Sequence, residues 1–344
     1  MVDVKKEGIM LEKTENTFEN EGVFNPAVIR EGGNVHMFYR AVRKGNYSTI
    51  GYCLLDGPLK VSKRDDKPIL FPQLDYEIKG IEDPRIVKIE GTYYMTYTVY
   101  DKTNALAAYA TSTDLKVWTK HSLLTPQMTF SDFRRLAECN KDINTKYFRD
   151  YKFHKLLKKA DLKVFVWDKN VMFFPRKING KYAYLHRIRP GIQLVMINSF
   201  DELTPKFWED YLLNITKNIV MDPKYDHESS YIGGGCPPIE TEHGWVLIYH
   251  GVQDTPNGYT YNACAALLDL NNPLKELARL NYPLFTPEHN WEQHGIVNNV
   301  VFPTGAVLFD DRLYIYYGAA DEHIAAASLS FSELVKELLN AKNN

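Results

Sequence analysis

One pattern recurs five times along the chain, and it constrains the fold more than any other feature. Each unit has a strand that opens at a proline, a tight turn of Gly, Asn or Asp, and an aromatic-rich strand. A third segment, mostly of small residues, follows each pair. The prolines that open the units are Pro26, Pro84, Pro175, Pro237 and Pro303. Repeated antiparallel units of this kind predict the blades of a propeller, whose radial repetition protects the sheet edges.

The predicted fold is therefore all-β, a five-bladed β-propeller in which residues 1–344 form a single domain. A generic β-sandwich with accidental similarity between its strands is the alternative. Residues 126–168 form a longer, charged and partly helical interval that we interpret as an insertion, either a cleft wall or a subunit contact. After Ser330, which fits a capping box with Glu333, apolar residues at helical spacing predict a C-terminal helix up to Lys342.

Composition argues against several classes of function. The net charge is −2 at pH 7 and no basic stripe stands out, so no nucleic-acid partner is expected. The four cysteines are scattered, with no Cys/His cluster at zinc spacing, which predicts free thiols and no bound metal. The N-terminus lacks the apolar core of a signal peptide, and no run approaches membrane-spanning length. We expect a cytoplasmic protein with no membrane partner, or a periplasmic one if a signal peptide has been removed.

Asp83 is the first candidate for catalysis. In a propeller, the residues just before each unit's proline converge at one end of the central channel, which brings Asp83 near Asn25. Arg40 and Arg85, with nearby tyrosines, could grip the hydroxyl groups of a ligand. An Asp before Pro is also a common turn former, and either arginine could simply neutralise its charge. The residue types alone leave both interpretations open.

Glu228 is the second candidate. It lies in the segment that leads through three consecutive glycines into the fourth unit, and it is the carboxylate best placed by sequence to face Asp83. Two carboxyl groups across a cleft suit glycoside hydrolysis, in which one protonates the departing oxygen and the other activates water. A solvated loop carboxylate is the alternative for Glu228.

Four further residues lie at the ends of inner hairpins. His186 and Arg187 end the hairpin of the third unit, His250 ends that of the fourth, and Asp321 has the corresponding place in the fifth. These side chains could bind an anion or sugar hydroxyl groups, or they could cap the strand ends. Their residue types fit both roles equally well.

Five segments together resemble glycoside hydrolase family 130, and they span nearly the whole chain in order. They are FNPAVI with MFYRA, GIEDPR with EGTYYMTYTVYD, INGKYAYLHR, GGGCPPIETEHGWVLIYHGV, and NVVFPTGAV with YYGAAD. The resemblance implies a five-bladed propeller that acts on β-mannosides with inversion, either as a phosphorylase or as a hydrolase. It also implies that Asp83 is the acid, which in the phosphorylases is thought to deliver its proton through a hydroxyl of the bound mannose.

Two positions bear on the choice between phosphate and water. Phosphorylases of this family typically have a lysine where this chain has Tyr231, and an arginine next to an aspartate where it has Trp167 to Asn170. A phosphate dianion needs convergent cations. Lys169 could replace the arginine, yet this chain has fewer cations for phosphate than those phosphorylases have. Each lost charge-assisted bond costs about 1.5–3 kcal/mol of binding free energy. Glu228 would also repel phosphate, whereas it suits the activation of water.

We therefore expect an inverting β-mannosidase that releases mannose, with Asp83 and Glu228 as acid and base and no cofactor. The β-1,2 linkage of its mannooligosaccharide substrate is what the resemblance to the hydrolases of the family implies. One alternative is a β-mannoside phosphorylase that uses inorganic phosphate as co-substrate and produces mannose 1-phosphate. The other is a non-catalytic sugar-binding propeller. The expected partner is a mannooligosaccharide, and a homo-oligomer is left open. The residues expected to bind substrate are Asn25, Arg40, Arg85, Lys169, His186, Arg187, Tyr231, His250 and Asp321.

Overall fold

The structure of the chain is a computed structural model that describes residues 1–149 and 163–342. Strands make up most of its regular structure, so the fold class is all-β, as predicted. The strands are β1 (Lys5–Leu11), β2 (Gly22–Glu31), β3 (Asn34–Arg43), β4 (Tyr47–Asp56), β5 (Lys60–Arg64), β6 (Gly80–Ile89), β7 (Thr92–Tyr100), β8 (Ala105–Ser112), β9 (Thr119–Leu123), β10 (Lys169–Phe173), β11 (Tyr182–Arg187), β12 (Ile192–Ile197), β13 (Ile219–Met221), β14 (Tyr231–Gly234), β15 (Ile239–Thr241), β16 (Gly244–Thr255), β17 (Gly258–Leu268), β18 (Glu276–Arg279), β19 (Val301–Phe309), β20 (Arg312–Ala319) and β21 (His323–Ser330). The helices are α1 (Phe130–Ala137), α2 (Pro205–Leu213), α3 (Asn290–Gln293) and α4 (Phe331–Lys342).

Antiparallel pairing organises these strands into five modules. Module 1 contains β2–β5, module 2 β6–β9, module 3 β10–β13, module 4 β14–β18, and module 5 β19–β21 together with β1. β1 pairs with β21, with Lys5 opposite Ser328, so a strand from the N-terminal part of the chain completes the last module. A parallel bridge between Ser48 and Gly80 joins modules 1 and 2 into one eight-stranded sheet.

Five hydrophobic cores lie between neighbouring modules. Four of them lie between modules that follow each other in the chain. The fifth joins module 5 to module 1, where Ala326 and Ile324 pack with Met37. The small residues predicted in the third segments allow this close packing, since Ala325 and Ala326 are completely buried. Every module is therefore covered by apolar side chains of the module before it and of the module after it.

A buried glutamate recurs in four modules, in the stretch before the first strand of each. Its carboxylate accepts a hydrogen bond from a tyrosine on a following strand and pairs with a cation from the outermost strand. All four glutamates are completely buried. We call these clusters the glutamate locks, and they are Glu19–Tyr39–Arg64, Glu77–Tyr97–Lys120, Glu228–Tyr249–Arg279 and Glu292–Tyr317–Lys6.

The two non-repeated parts of the prediction are partly visible. Within the predicted insertion, α1 packs its apolar face into the core between modules 2 and 3 and contacts α2. Residues 150–162 of that insertion lie outside the described residues. The predicted C-terminal helix is present as α4, and Oγ of Ser330 accepts a hydrogen bond from the backbone N–H of Glu333 at 3.3 Å. In the part of the chain that the structure describes, no helix has the length and apolar composition needed to span a membrane.

The third and fourth units differ from the prediction in the position of the first strand, and in the fourth unit β14 ends at Gly234, before Pro237. The sequence pattern placed the first strand of the third unit at Phe174-Pro175, by analogy with the prolines of the other units. In the structure β10 ends at Phe173, and the segment that follows it turns back into β11. A proline at the end of a strand and one near its beginning have the same appearance in the sequence, because both avoid the middle of a paired strand.

Candidate active site

A cavity of about 160 Å³ collects side chains from the strands and adjoining loops of all five modules. A concave site with several convergent polar groups is the expected place for ligand binding. The lining residues are Asn25, Arg40, Asp83, Trp167, Lys169, Asn170, Arg187, Arg189, Tyr231, Tyr261, Val297, Val300, Phe302 and Asp321. This cavity is the candidate active site.

The same backbone feature positions three of these side chains. Asn25, Asp83 and Asn170 have φ angles of 52°, 50° and 56°, in the left-handed region that Asn and Asp tolerate better than most residues. Each lies where the pairing of its module's first strand shifts register. Such a bulge turns a side chain away from the regular strand direction. Modules 1, 2 and 3 therefore each present one Asn or Asp to the cavity from an equivalent position.

Asp83 is held by two donors that meet one of its oxygens. Nδ2 of Asn25 donates to Oδ1 of Asp83 at 2.8 Å, and NH1 of Arg40 donates to the same oxygen at 3.4 Å. Burial alone would raise the pKa of Asp83, but the charges of Arg40 and Lys169 and the bond from Asn25 outweigh it, so this pKa lies below its ordinary value. No donor among the described residues reaches Oδ2, which leaves that oxygen for a ligand.

Glu82 holds the two cations beside Asp83. NH2 of Arg40 donates to Oε1 of Glu82 at 2.9 Å, and Nζ of Lys169 donates to Oε2 at 3.2 Å. The two neighbouring carboxylates of the GIEDPR segment thus have different tasks. Glu82 fixes Arg40 and Lys169, and Asp83 points to the cavity.

Asp321 is the second carboxylate that lines the cavity. Burial raises its pKa from the ordinary 3.8 to about 6, and the charge of Asp83 adds to this effect, while Arg40 offsets part of it. No described residue donates a hydrogen bond to its side chain. Asp321 is partly exposed, so its carboxylate is open to a sugar hydroxyl that could donate to it.

Two guanidinium groups and two phenols form another side of the cavity. NH2 of Arg189 donates to the hydroxyl of Tyr231 at 3.0 Å, and its guanidinium carbon lies 3.9 Å from the centre of that ring. The guanidinium carbon of Arg187 lies 5.2 Å from the same centre, and the hydroxyls of Tyr231 and Tyr261 are 2.6 Å apart. We call these four residues the cationic wall. Its donors suit an anion with several oxygens, such as phosphate.

The sequence model of glycoside hydrolase family 130, described as beta-1,4-mannooligosaccharide phosphorylase, matches residues 4–340. The chain belongs to glycoside hydrolase family 130. It is 35% identical to the 1,2-beta-oligomannan phosphorylase of Thermoanaerobacter sp. (strain X514) over 335 residues, which cover 95% of this chain and 96% of the relative. It is 37% identical to the beta-1,2-mannobiose phosphorylase of the same organism over 330 residues, 91% of each chain.

A solved structure of a family 130 protein also matches. Its description states that this family of mannoside phosphorylases contains glycoside hydrolases that target beta-1,2 mannosidic linkages in Candida mannan. The match has a TM-score of 0.72 and 26% identity over 95% of this chain and 93% of that chain. The family membership predicted from the five segments is thus confirmed.

Seven of the residues predicted for the family 130 site line the cavity, namely Asp83, Asn25, Arg40, Lys169, Arg187, Tyr231 and Asp321. Four others do not line it: Arg85, His186, Glu228 and His250. Within residues 1–149 and 163–342, no group of three or more His, Cys, Asp or Glu side chains is arranged to hold a metal ion.

Glu228 requires a correction, because its carboxylate faces the inside of module 4. Oε1 accepts a hydrogen bond from Tyr249, and Oε2 accepts from Arg279 at 3.0 Å and from the backbone N–H of Lys224 at 2.7 Å. Its side chain is completely buried. Both oxygens are therefore committed to a glutamate lock, and the structure does not bring Glu228 to Asp83.

Arg85 and His186 also bond within the protein. Arg85 is 1% exposed and donates to the backbone carbonyls of Asp83, Gly234 and Gly235, so it supports the bulge from behind. Burial lowers its pKa to about 10, which still leaves it charged at neutral pH. Nδ1 of His186 lies 2.7 Å from Asp168 and Nε2 lies 2.7 Å from the hydroxyl of Tyr211. Both predicted binding roles are corrected to structural ones.

His250 lies one layer behind the cavity lining. Its ring packs on Phe302, with ring centres 4.4 Å apart, and Phe302 lines the cavity. Burial, with the nearby charges of Arg187 and Arg85, holds the pKa of His250 well below its ordinary value, so the ring is neutral. Neither ring nitrogen bonds to a described residue. In this structure His250 supports the cavity rather than lining it.

Several lining residues were not predicted as site residues. Asn170 was hidden by the misplaced register of the third unit, although it occupies the bulge position of Asn25 and Asp83. Arg189 follows Arg187 by two residues, and this spacing in an extended chain indicates the same face. Phe302 directly precedes the proline of the fifth unit, as Asn25 and Asp83 precede theirs, whereas no pattern in the sequence indicated Tyr261.

Proposed function

We propose that this protein is an inverting β-mannoside phosphorylase that acts on β-1,2-linked mannooligosaccharides and produces mannose 1-phosphate. The observation that carries the proposal is the cationic wall, in which Arg187 and Arg189 accompany Tyr231 in the same small cavity as Asp83. Each charge-assisted hydrogen bond to phosphate contributes about 1.5–3 kcal/mol. Two guanidinium groups would offset the loss of phosphate affinity that the sequence predicts from the replacement of a lysine by Tyr231.

In the proposed reaction an oxygen of phosphate forms a bond to C1 of the mannosyl residue. The bond between C1 and the glycosidic oxygen breaks, and the departing oxygen takes a proton that originates on Asp83. The charges of Arg40 and Lys169 lower the pKa of Asp83 and outweigh the opposite effect of burial. A bound phosphate dianion brings negative charge nearby, which raises the pKa of a carboxyl group. Binding of phosphate would therefore prepare Asp83 to act as an acid.

The remaining polar groups suit the mannosyl ring. Oδ1 of Asn25 and Oδ1 of Asn170 are buried and accept no hydrogen bond from described residues. Asp321 likewise accepts none. Buried acceptors without donors are costly unless a ligand supplies the donors. We assign Asn25, Asn170 and Asp321 to the hydroxyl groups of the sugar.

Phosphorolysis replaces the hydrolysis expected from the sequence. That expectation depended on Glu228 as the base that activates water, and Glu228 is committed to a lock. The names of the two Thermoanaerobacter relatives support phosphorolysis and the 1,2 linkage. The description of the family model supports phosphorolysis as well, with the 1,4 linkage as the competing specificity.

The proposed architecture is a single five-bladed β-propeller, with the five modules as its blades. It is supported by the five hydrophobic cores, each between neighbouring modules, including the core between modules 5 and 1. It is also supported by contacts of β2 with β6, of β6 with β10, of β10 with β14, and of β19 with β2. In such a ring the first strands surround a central channel, and the bulges of modules 1–3 open onto it.

The deciding experiment incubates the protein with β-1,2-mannobiose in the presence and absence of inorganic phosphate. Mannose 1-phosphate is expected only with phosphate, with one free mannose for each molecule of it. Two mannose molecules for each cleavage without phosphate would instead establish a hydrolase, and no turnover would favour a sugar-binding protein. β-1,4-Mannobiose in a parallel reaction tests the linkage, and it is expected to react more slowly.

A further inference from the structure

A second cavity of about 350 Å³ adjoins the candidate active site, and the two cavities share Arg189 and Tyr231. Arg189 donates to the hydroxyl of Tyr231 and lies over its ring, so this pair separates the cavities. The rest of the second cavity includes Lys146, Arg149, Asp254 and Tyr259. We call it the antechamber.

The described lining residues of the antechamber carry more positive than negative charge. Among them are three cationic side chains, Lys146, Arg149 and Arg189, and one carboxylate, Asp254. Nζ of Lys146 donates to the backbone carbonyl of Ser229 at 2.6 Å, which fixes the ammonium group without neutralising it. A cleft lined by one sign of charge raises the local concentration of the opposite ion and speeds its capture.

The place of the antechamber also suits the reaction. In an inverting displacement the nucleophile reaches C1 from the face opposite the departing oxygen. Arg189 lines both cavities, so an anion that binds Arg189 from the side of the antechamber already contacts the cationic wall.

We propose that the antechamber is the site through which inorganic phosphate reaches the active site. The inference rests on the proposed phosphorylase function. Phosphate would first pair with Lys146 and Arg149 and then move to Arg189 and Arg187. An additional sugar unit, stacked on Tyr259, is the competing occupant, and the experiment separates the two.

The test compares K146A and R149A with the wild type and with K217A. Lys217 is a matched control because it lines neither cavity and bonds to Asn214. In K146A and R149A the KM for inorganic phosphate is expected to rise about tenfold, since capture of the anion slows. The kcat and the KM for β-1,2-mannobiose should stay near the wild-type values, and K217A should match the wild type. K146R should restore the KM for phosphate.

Three outcomes would overturn the proposal. The first is an unchanged KM for phosphate in folded K146A and R149A. The second is an equal rise in the KM for phosphate and for mannobiose. The third is a rise confined to the KM for β-1,2-mannotriose, which would assign the antechamber to sugar.

A binding measurement separates this proposal from the proposed function. If the wild type cleaves mannobiose without phosphate, the phosphorylase function fails. Calorimetric titration of each protein with inorganic phosphate then tests the antechamber alone. Weaker binding to K146A than to K217A would support an anion site, and equal binding would exclude one.

Discussion

Asp83 and Glu228 are both buried carboxylates next to an arginine, yet their surroundings differ in one respect. Glu228 uses both of its oxygens inside the protein, with Tyr249, Arg279 and the backbone as donors. Asp83 receives both of its donors on Oδ1 and keeps Oδ2 for a ligand. Burial and charge are therefore similar in the two regions, and the number of committed oxygens distinguishes the reactive group from the structural one.

Repetition separates the two residues further. Glu228 has counterparts in Glu19, Glu77 and Glu292, which hold three other modules in the same way. Asn25 and Asn170 occupy the equivalent bulge position in modules 1 and 3, but Asp83 is the one carboxylate among these three residues. A glutamate that holds a module together recurs from module to module, whereas the reaction needs a single proton donor.

The largest effect is expected for D83N. The change keeps the shape of the side chain and removes its proton, so kcat should fall by about 10²–10⁴-fold. Stability should change little, because Arg40 keeps its bond to Glu82. Initial rates of phosphorolysis and thermal unfolding measure the two effects. Activity within tenfold of the wild type would remove Asp83 from the chemistry.

E228Q should show the reverse pattern, a loss of stability with little change in activity. Loss of the charge breaks the buried ion pair between Glu228 and Arg279 and leaves Arg279 with the partly exposed Glu276 alone, and breaking a buried pair costs about 3–5 kcal/mol in the free energy of unfolding. E77Q is the matched control, because Glu77 has the same place in the lock of module 2. Denaturant unfolding of both variants should give similar losses, with kcat for each folded molecule preserved. A stable but inactive E228Q would return Glu228 to the active site.

D321N is expected to increase stability while it reduces activity. The pKa of Asp321 is about 6 in the folded protein against an ordinary 3.8, so the folded state holds this proton more tightly than the unfolded state. The free energy of unfolding therefore falls as pH rises through this window, by up to about 3 kcal/mol. D321N should remove that loss. The free energy of unfolding should therefore rise by about 1–3 kcal/mol near neutral pH and stay unchanged in acid. Denaturant unfolding of D321N and of the wild type at several pH values measures this difference. The same dependence of the free energy of unfolding on pH in both proteins would contradict the prediction.

Y97F should have the smallest effect. The hydroxyl of Tyr97 lies 3.3 Å from Oε1 of Glu77, the longest tyrosine bond of the four locks, and Glu77 keeps Lys120 and backbone donors. A loss of about 0.5–1.5 kcal/mol in the free energy of unfolding is expected. Y317F, whose bond to Glu292 is 2.7 Å, should lose more. The reverse order would mean that the tyrosines contribute through ring packing.

The sequence predicted the features that depend on local pattern. The strand units, the helix after Ser330 and the cluster around Asp83 all follow from periodicity and turn residues. The sequence did not indicate whether a carboxylate faces inward or toward a cavity, which depends on partners far along the chain. One overlooked signal was the spacing within the locks, since each glutamate precedes its tyrosine by 20 or 21 residues in modules 1, 2 and 4.

β1 was missed in the sequence because its partner, β21, lies at the other end of the chain. Lys6 of β1 also completes the lock of Glu292 across 286 residues. During synthesis β1 must wait until β21 has been made, so module 5 assembles last. β21 begins directly after the turn that carries Asp321. The pairing of β1 with β21 therefore helps to hold Asp321 in place, although the two strands lie at opposite ends of the chain. Removal of β1 is therefore expected to disturb the position of Asp321 as well as module 5.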